Sequence, residues 1–175
     1  MRKFIIGIGL FIGIVFLSLM MMMIIGQFLP AEHEVSLTAD FDLPADSLWS
    51  ILTSYESYPD WRIDLHRVEV LPDSIGLHRW REFDQSKMNL TYTEVEVNKP
   101  LLLTIKIVDQ NIPFGGTWKM ELNSLNTKSQ LKITETGSIE SGFFRFIATY
   151  LFGFDSTIRS FINMLKAHLG EASIA

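Results

Sequence analysis

Three glutamates stand where a carboxylate could do proton chemistry. Trp80 and Glu82 alternate on one extended stretch, Tyr92 and Glu94 alternate on another, and Glu135 follows Leu131 and Ile133 on a third. Residues two apart on a strand share a face. If Trp80, Tyr92 and Ile133 face inward, the carboxylates go with them. A carboxyl group among apolar side chains holds its proton more tightly than in water, which suits it to acid–base work. The same stretches support other readings. Thr93, Val95 and Val97 can face inward instead, and one bulge would reconcile both alternations. The glutamates can also end on the solvated face, paired with Arg79, Arg81 or Lys106.

Other chemistries find less support. The chain has no cysteine, which excludes disulfides, thiolate catalysis and Cys-ligated zinc. His33, His66, His78 and His168 fall one per element without the spacing of a metal site, and read as surface or capping residues. There is no Gly-x-Ser-x-Gly elbow. Gly115-Gly116 lacks the Lys-Ser/Thr of a phosphate loop and opens a strand. No catalytic residue, metal ligand or cofactor is assigned on these grounds.

The 175 residues divide into two unequal parts. Residues 4–29 carry no charge, and only Ser18 and Gln27 are clearly polar. As a helix this run is roughly 39 Å long, against about 30 Å of hydrocarbon. It exceeds a signal peptide's apolar region and lacks a clear small-residue cleavage site, so an uncleaved anchor is the favoured reading. Arg2 and Lys3 precede the run and acidic residues follow it, which predicts a single pass with the N-terminus cytoplasmic. The following domain would then be extracytoplasmic. Gly9 and Gly13 form one G-x-x-x-G, common enough in membrane helices to say little about dimerisation. The division is therefore residues 1–30 as anchor and 31–175 as a folded domain. Taking Arg2 and Lys3 from the 15 basic residues leaves 13 against 20 acidic ones, a net charge of about −7. Such a domain has no general attraction for nucleic acid or an anionic lipid surface, since both need clustered Lys and Arg.

The domain itself reads as strand, short helices, six strands and a long helix. Glu34 to Phe41 alternates strictly. Pro44 opens a short helix, and Tyr58-Pro59-Asp60 ends the helical stretch. Strands follow at 65–71, 77–83, 88–97, 101–108, 117–122 and 131–136, with a turn or bulge expected at Pro113 to Gly116 and a polar loop at Ser124 to Ser129. From Phe143 to Leu169, apolar residues recur at helical spacing through Ile147, Tyr150, Phe154, Ile158, Phe161 and Leu165. Gly153 predicts a kink in that helix, and Asp155 or Ser156 can cap its second half. Strands in series with helices set apart mean an α+β fold with an antiparallel meander.

This order resembles the SRPBCC superfamily, also called START-like or Bet v 1-like, and within it the polyketide cyclase/dehydrase-like group. The resemblance rests on Phe41-Asp-Leu-Pro44 leading to Leu48-Trp49, Tyr58-Pro59-Asp60-Trp61 ahead of Val68-Glu-Val, Pro113-Phe-Gly-Gly-Thr-Trp118, Thr134-Glu-Thr-Gly137 and the terminal helix. It covers residues 32–169. It implies a helix-grip fold, a curved seven-stranded antiparallel sheet wrapped around the long C-terminal helix, here preceded by one transmembrane helix. It also implies an apolar cavity between sheet and helix that holds lipids, polyketides or other hydrophobic molecules. Carried onto this sequence, the wall would include Trp61, Trp80, Tyr92, Phe114, Trp118 and Met120 from the strand region. Phe143, Ile147, Tyr150 and Phe154 would come from the helix, with Glu82, Glu94 and Glu135 as polar groups. The superfamily shares no catalytic signature, so the expectation is a non-catalytic binding module for a hydrophobic small molecule or lipid, held at the membrane by residues 4–29. The alternatives are a cyclase, dehydratase or isomerase using a buried carboxylate, and an interaction domain whose core is simply full.

Overall fold

The computed structural model describes residues 2–110 and 112–174. The outermost ends of the two expected segments, Met1 and Ala175, lie outside the described residues. Helix α1 (Arg2–Gln27) leads into β1 (Glu32–Phe41), α2 (Ala45–Leu52) and a 3₁₀ turn (Tyr55–Asp60). Then come β2 (Leu65–Ser74), β3 (Leu77–Asp84), β4 (Asn89–Asn98), β5 (Leu102–Ile107), β6 (Phe114–Leu125) and β7 (Lys128–Ile139). Helix α3 (Gly142–Ile147) runs on into one π-helical turn (Ala148–Phe152), and α4 (Ser156–His168) follows.

The seven strands form one antiparallel sheet in the order β1-β7-β6-β5-β4-β3-β2. The consecutive hairpins from β2 to β7 make a meander, and β1 adds to β7, with Glu32 opposite Ser138 and Phe41 opposite Ser129. β1 and β2 are the two edges and do not pair, so the sheet curves without closing into a barrel. β6 and β7 are longer than their alternation predicts. Their ladder runs unbroken through Gly115 and Gly116, where a turn or bulge was expected, and the expected polar loop contracts to a tight hairpin at Asn126 and Thr127. A bulge does occur in β4. Glu94 pairs with Ile105 and Glu96 with Thr104, which leaves Val95 as the extra residue. Tyr92 is half-buried and Glu94 buried, while Val95 and Val97 are exposed, which resolves the two alternations.

The core lies between the concave face and α2, the 3₁₀ turn and α4. Phe41, Leu48, Leu52, Trp80, Leu103, Met120, Leu131 and Ile133 are sealed in it. Helix α4 contributes Ile158, Phe161, Ile162 and Leu165, each worth roughly 1.5–3 kcal/mol of burial. Lys166 fixes its last turn by donating to the Asp40 carbonyl at 2.6 Å and pairing with Glu171 at 2.8 Å.

The expected stripe of one long core-facing helix is realised only in its second half. Gly153 breaks the helix at φ 80° and ψ 150°, backbone space that is essentially restricted to glycine. The first half turns away from the core: Gly142 is its only buried residue in α3, and none is buried in the π turn. The break is sealed locally, with the Ser156 hydroxyl donating to the Gly153 carbonyl at 3.0 Å and Arg159 pairing with Asp155 at 2.5 Å. A Cβ at position 153 would also lie 2.8 Å from Asp155 Oδ1. Gly153→Ala is therefore expected to destabilise the protein by about 1–3 kcal/mol, read as a lower urea midpoint for the full chain in detergent. An unchanged midpoint would mean that the break carries no strain.

Candidate functional site

Where α3 and the π turn leave the core, the concave face stays uncovered, and a cavity of about 760 Å³ remains. Its wall is mostly apolar, with Ile105, Ile107, Phe114, Trp118 and Met120 from the sheet and Ile147, Phe152, Phe154, Phe161 and Met164 from the helices. Two clusters of ionisable side chains interrupt it, and Asn89, Ser138, Ser156, Thr157 and Ser160 add uncharged polar groups.

The first group is Tyr58, Arg62, Asp64, Glu82 and Tyr92. β3 carries Glu82 inward beside Trp80, and the 3₁₀ turn delivers Arg62 across from it. Arg62 Nη1 donates to Glu82 Oε2 at 2.8 Å, and Trp80 Nε1 donates to Glu82 Oε1 at 2.9 Å. The other arm of Arg62 meets Asp64 at 2.7 Å. Burial raises the Glu82 carboxyl above its ordinary value of 4.5, and the Arg62 charge offsets only part of that. Burial also pulls on Arg62, but the Glu82 and Asp64 carboxylates outweigh it and keep the guanidinium charged. The phenols of Tyr58 and Tyr92 are pushed up by burial and stay neutral. Tyr58 donates to the Leu52 carbonyl at 2.7 Å. The Tyr92 hydroxyl has no partner among the described residues and is free to meet a bound molecule.

The second group sits on β1, β6 and β7. Glu135 accepts from Trp118 Nε1 at 2.9 Å and lies 3.4 Å from His33 Nε2. The His33 ring stacks on Phe154 at 4.5 Å between centroids, so a residue of β1 and the segment after the helix break close one end of the cavity together.

Of the residues expected to line a cavity, the structure brings Tyr92, Phe114, Trp118, Met120, Ile147, Phe154, Glu82 and Glu135 to one void. It places the others elsewhere. Trp80 is fully buried behind the wall, stacked between Tyr55 at 3.6 Å and Tyr92 at 5.6 Å. Trp61 packs edge-on against Tyr58 and Phe161 and faces a separate depression of about 230 Å³ with Ser54, Ser57 and His168. Phe143 and Tyr150 are on the half of the helix that leaves the core, and Tyr150 is exposed. Glu94 is buried but off the cavity. It accepts from the Tyr55 hydroxyl at 2.7 Å and the His78 N–H at 3.0 Å, so its role there is to satisfy buried donors. His33, read from the sequence as a surface or capping residue, is instead half-buried in the cavity wall. Arg62 and Asp64 were also not anticipated. Their one sequence signal is a charged pair directly after an aromatic Tyr-Pro-Asp-Trp turn, which reads equally well as a solvated loop.

No protein-family model matches the chain, and no curated protein matches it by sequence. Solved structures do match. A START superfamily protein from Mycobacterium smegmatis aligns at TM-score 0.63 and 13% identity, over 79% of this chain and 97% of that one. Norcoclaurine synthase from Thalictrum flavum aligns at 0.62 and 8%, over 81% and 88%. The aromatase/cyclase ZhuI from Streptomyces sp. R1128 aligns at 0.53 and 18%, over 62% and 68%. These likenesses show the fold, a helix-grip fold of the form seen in the START superfamily protein, norcoclaurine synthase and the aromatase/cyclase.

Because folded Glu82 holds its proton more tightly than unfolded Glu82, its contribution to stability is complete below the unfolded value. That contribution is lost as pH rises through the folded value. Glu82→Gln should flatten this part of the stability profile when urea midpoints are compared from mildly acidic to mildly alkaline pH. Arg62→Met leaves the buried carboxylate with Trp80 alone and is expected to cost about 3–5 kcal/mol at neutral pH. It should also steepen the loss with rising pH. A flat profile in the parent chain would refute the reading of Glu82.

Proposed function

We propose that the protein is a membrane-held binding module for a hydrophobic small molecule or lipid that carries at least one polar group. The observation behind this reading is the cavity. At about 760 Å³, it has the size and mostly apolar character of a small-molecule site, and its charged groups fall in two clusters. The ligand's apolar body would lie along Ile105, Trp118, Met120 and Phe161. Its polar end would meet the Tyr92 hydroxyl and the Arg62 guanidinium. A void this large argues against a domain whose core is simply full. Ile6–Gln27 is long and apolar enough to cross a membrane, a property signal sequences share. We read residues 1–30 as an uncleaved anchor and 31–175 as the domain, with the N-terminus cytoplasmic and the domain on the far side.

Glu82 favours a second reading, an enzyme of the cyclase, dehydratase or isomerase kind. A buried carboxyl with a raised pKa on a cavity wall is a candidate general acid or base. Against it, both carboxylate oxygens are already engaged by Arg62 and Trp80.

Native mass spectrometry of the full chain released from detergent, with organic extraction of what it carries, tests the binding reading. A co-purifying hydrophobic molecule is the expected result. A chain that is empty and also fails to brighten Nile red would overturn it. Ile107→Trp fills the cavity from β5 and should weaken Nile red binding about tenfold or more, roughly 1.4 kcal/mol, without lowering the thermal transition. If the extracted molecule is chemically converted by the parent chain but not by Glu82→Gln, the enzyme reading replaces the carrier.

A further inference from the structure

The half of the C-terminal helix that leaves the core walls the cavity with Ile147 and Phe152 and turns several other apolar side chains outward. From Gly142 to Phe152 it carries no acidic residue and one basic residue, Arg145. Phe144, Tyr150, Leu151 and Phe152 are all more than half exposed, and Phe152 reaches 70%. An apolar patch of this kind on a folded domain marks a contact with something else.

Its packing against α1 points to what that is. The last turn of α1 crosses the start of α3 glycine on glycine, and a Cβ on Gly26 would lie 1.7 Å from the Gly142 carbonyl oxygen. Gly26 and Gly142 are both buried there. Small residues facing each other let two backbones approach this closely, as membrane helices do. Arg145 turns its charge away from the patch and locks the junction. It donates to the Ile139 carbonyl at 2.7 Å, the Glu140 carbonyl at 2.8 Å and, across the linker, the Leu29 carbonyl at 3.2 Å. The exposed apolar segment thus begins where α3 packs against the last turn of the apolar helix α1.

The cavity mouth is at the same end of the molecule. Neighbouring strands are antiparallel, so the start of β1 lies level with the β3–β4 hairpin, the β5–β6 loop and the exit of β7. Cavity-lining residues that are also exposed lie there, Met88 on one side and Phe144 and Phe152 on the other. Ile63, 81% exposed, sits beside them at the start of β2.

We propose that Gly142–Phe152 is a second membrane-contacting element, packed beside α1 at the bilayer surface, and that the cavity opens directly onto the lipid through it. This rests on the anchored-binding reading given above. Under it a hydrophobic molecule passes between bilayer and cavity past Phe144 and Phe152 without crossing water. The π turn, where the Gly153 N–H donates to the Ala148 carbonyl at 2.9 Å, is the least regular part of that wall. Aromatic and aliphatic side chains on such a helix suit the boundary between headgroups and acyl chains.

The chain has no cysteine, so single-cysteine variants can carry a nitrobenzoxadiazole label at chosen depths. The full chain is placed in vesicles of phosphatidylcholine and phosphatidylglycerol. Labels at Leu17→Cys in α1, Leu151→Cys, Met88→Cys and Ile75→Cys are compared for quenching by bromine on lipid acyl chains and by aqueous iodide. Ile75, 99% exposed, is at the opposite end of the sheet and serves as the water reference. The expected result is that labels at 17 and 151 lose most of their emission to brominated lipid and little to iodide. The label at 88 should respond to lipid brominated close to the headgroup, and the label at 75 to iodide alone. If 17 is in lipid and 151 behaves like 75, the proposal falls while the anchor stands. If 151 is in lipid and 88 is not, the mouth does not face the bilayer and the proposal fails on that point. If 17 is itself in water, the anchor reading fails and takes the proposal with it. None of these outcomes depends on whether the cavity holds a ligand.

Discussion

A curved seven-stranded sheet presents more apolar concave surface than one helix of thirteen residues can cover, and the rest of the molecule follows from that mismatch. Burial of Ile158, Phe161, Ile162 and Leu165 docks α4 over part of the face. A continuous helix would have gone on to cover more. Gly153, in a conformation that side chains disfavour, sends the preceding turns away instead. The cavity is the space that redirection leaves, walled by the ends of the strands and by Phe152 and Phe154 on either side of the break.

Placing charge inside such a space is costly unless each charge is matched. Arg62, Asp64 and Glu82 form a chain in which the guanidinium serves both carboxylates, and the indole N–H of Trp80 takes the remaining Glu82 oxygen. Trp80 is held in turn within a stack of Tyr55, Trp80 and Tyr92. One aromatic stack therefore supports the polar cluster from behind, and Tyr92 presents its free hydroxyl to the cavity in front. Glu135 uses the same device with Trp118 on the other wall. In both places an indole N–H satisfies a carboxylate that the strand's alternation has carried inward.

The join between α1 and the domain is firm where a flexible linker would have sufficed. Four residues separate Gln27 from Glu32, Gly26 lies on Gly142, and Arg145 gathers carbonyls from β7's exit and from Leu29. The orientation of the cavity relative to α1 is thereby set by backbone packing and by a guanidinium that donates from all three of its nitrogens.

Local pattern was enough for the elements and their order. Alternation, β-branched runs and turn residues marked every strand to within a few residues, Tyr58-Pro59 ended the helical stretch, Gly153 marked the break, and the uncharged run 4–29 stood out by length alone. Each of these depends on near neighbours in the chain, which periodicity and the special residues report directly. Which face of a strand met the cavity was only partly legible, because two alternations in β4 were equally consistent with the residues and the bulge at Val95 decided between them. Partners distant in sequence could not be read at all. Arg62 reaches Glu82 across twenty residues, His33 reaches Glu135 across one hundred and two, and Gly26 meets Gly142 from the far end of the chain. Phe143 and Tyr150 carry the same helical stripe as Phe161 and Leu165, yet only the latter pair is buried, because a stripe specifies that a helix face needs covering and not what covers it. The strands, the helix break and the apolar run could be read from the residues alone, since local conformational preference sets them. The tertiary structure alone decided the cavity, its polar cluster and its orientation to α1, since these arise from contacts between segments that the chain order keeps apart.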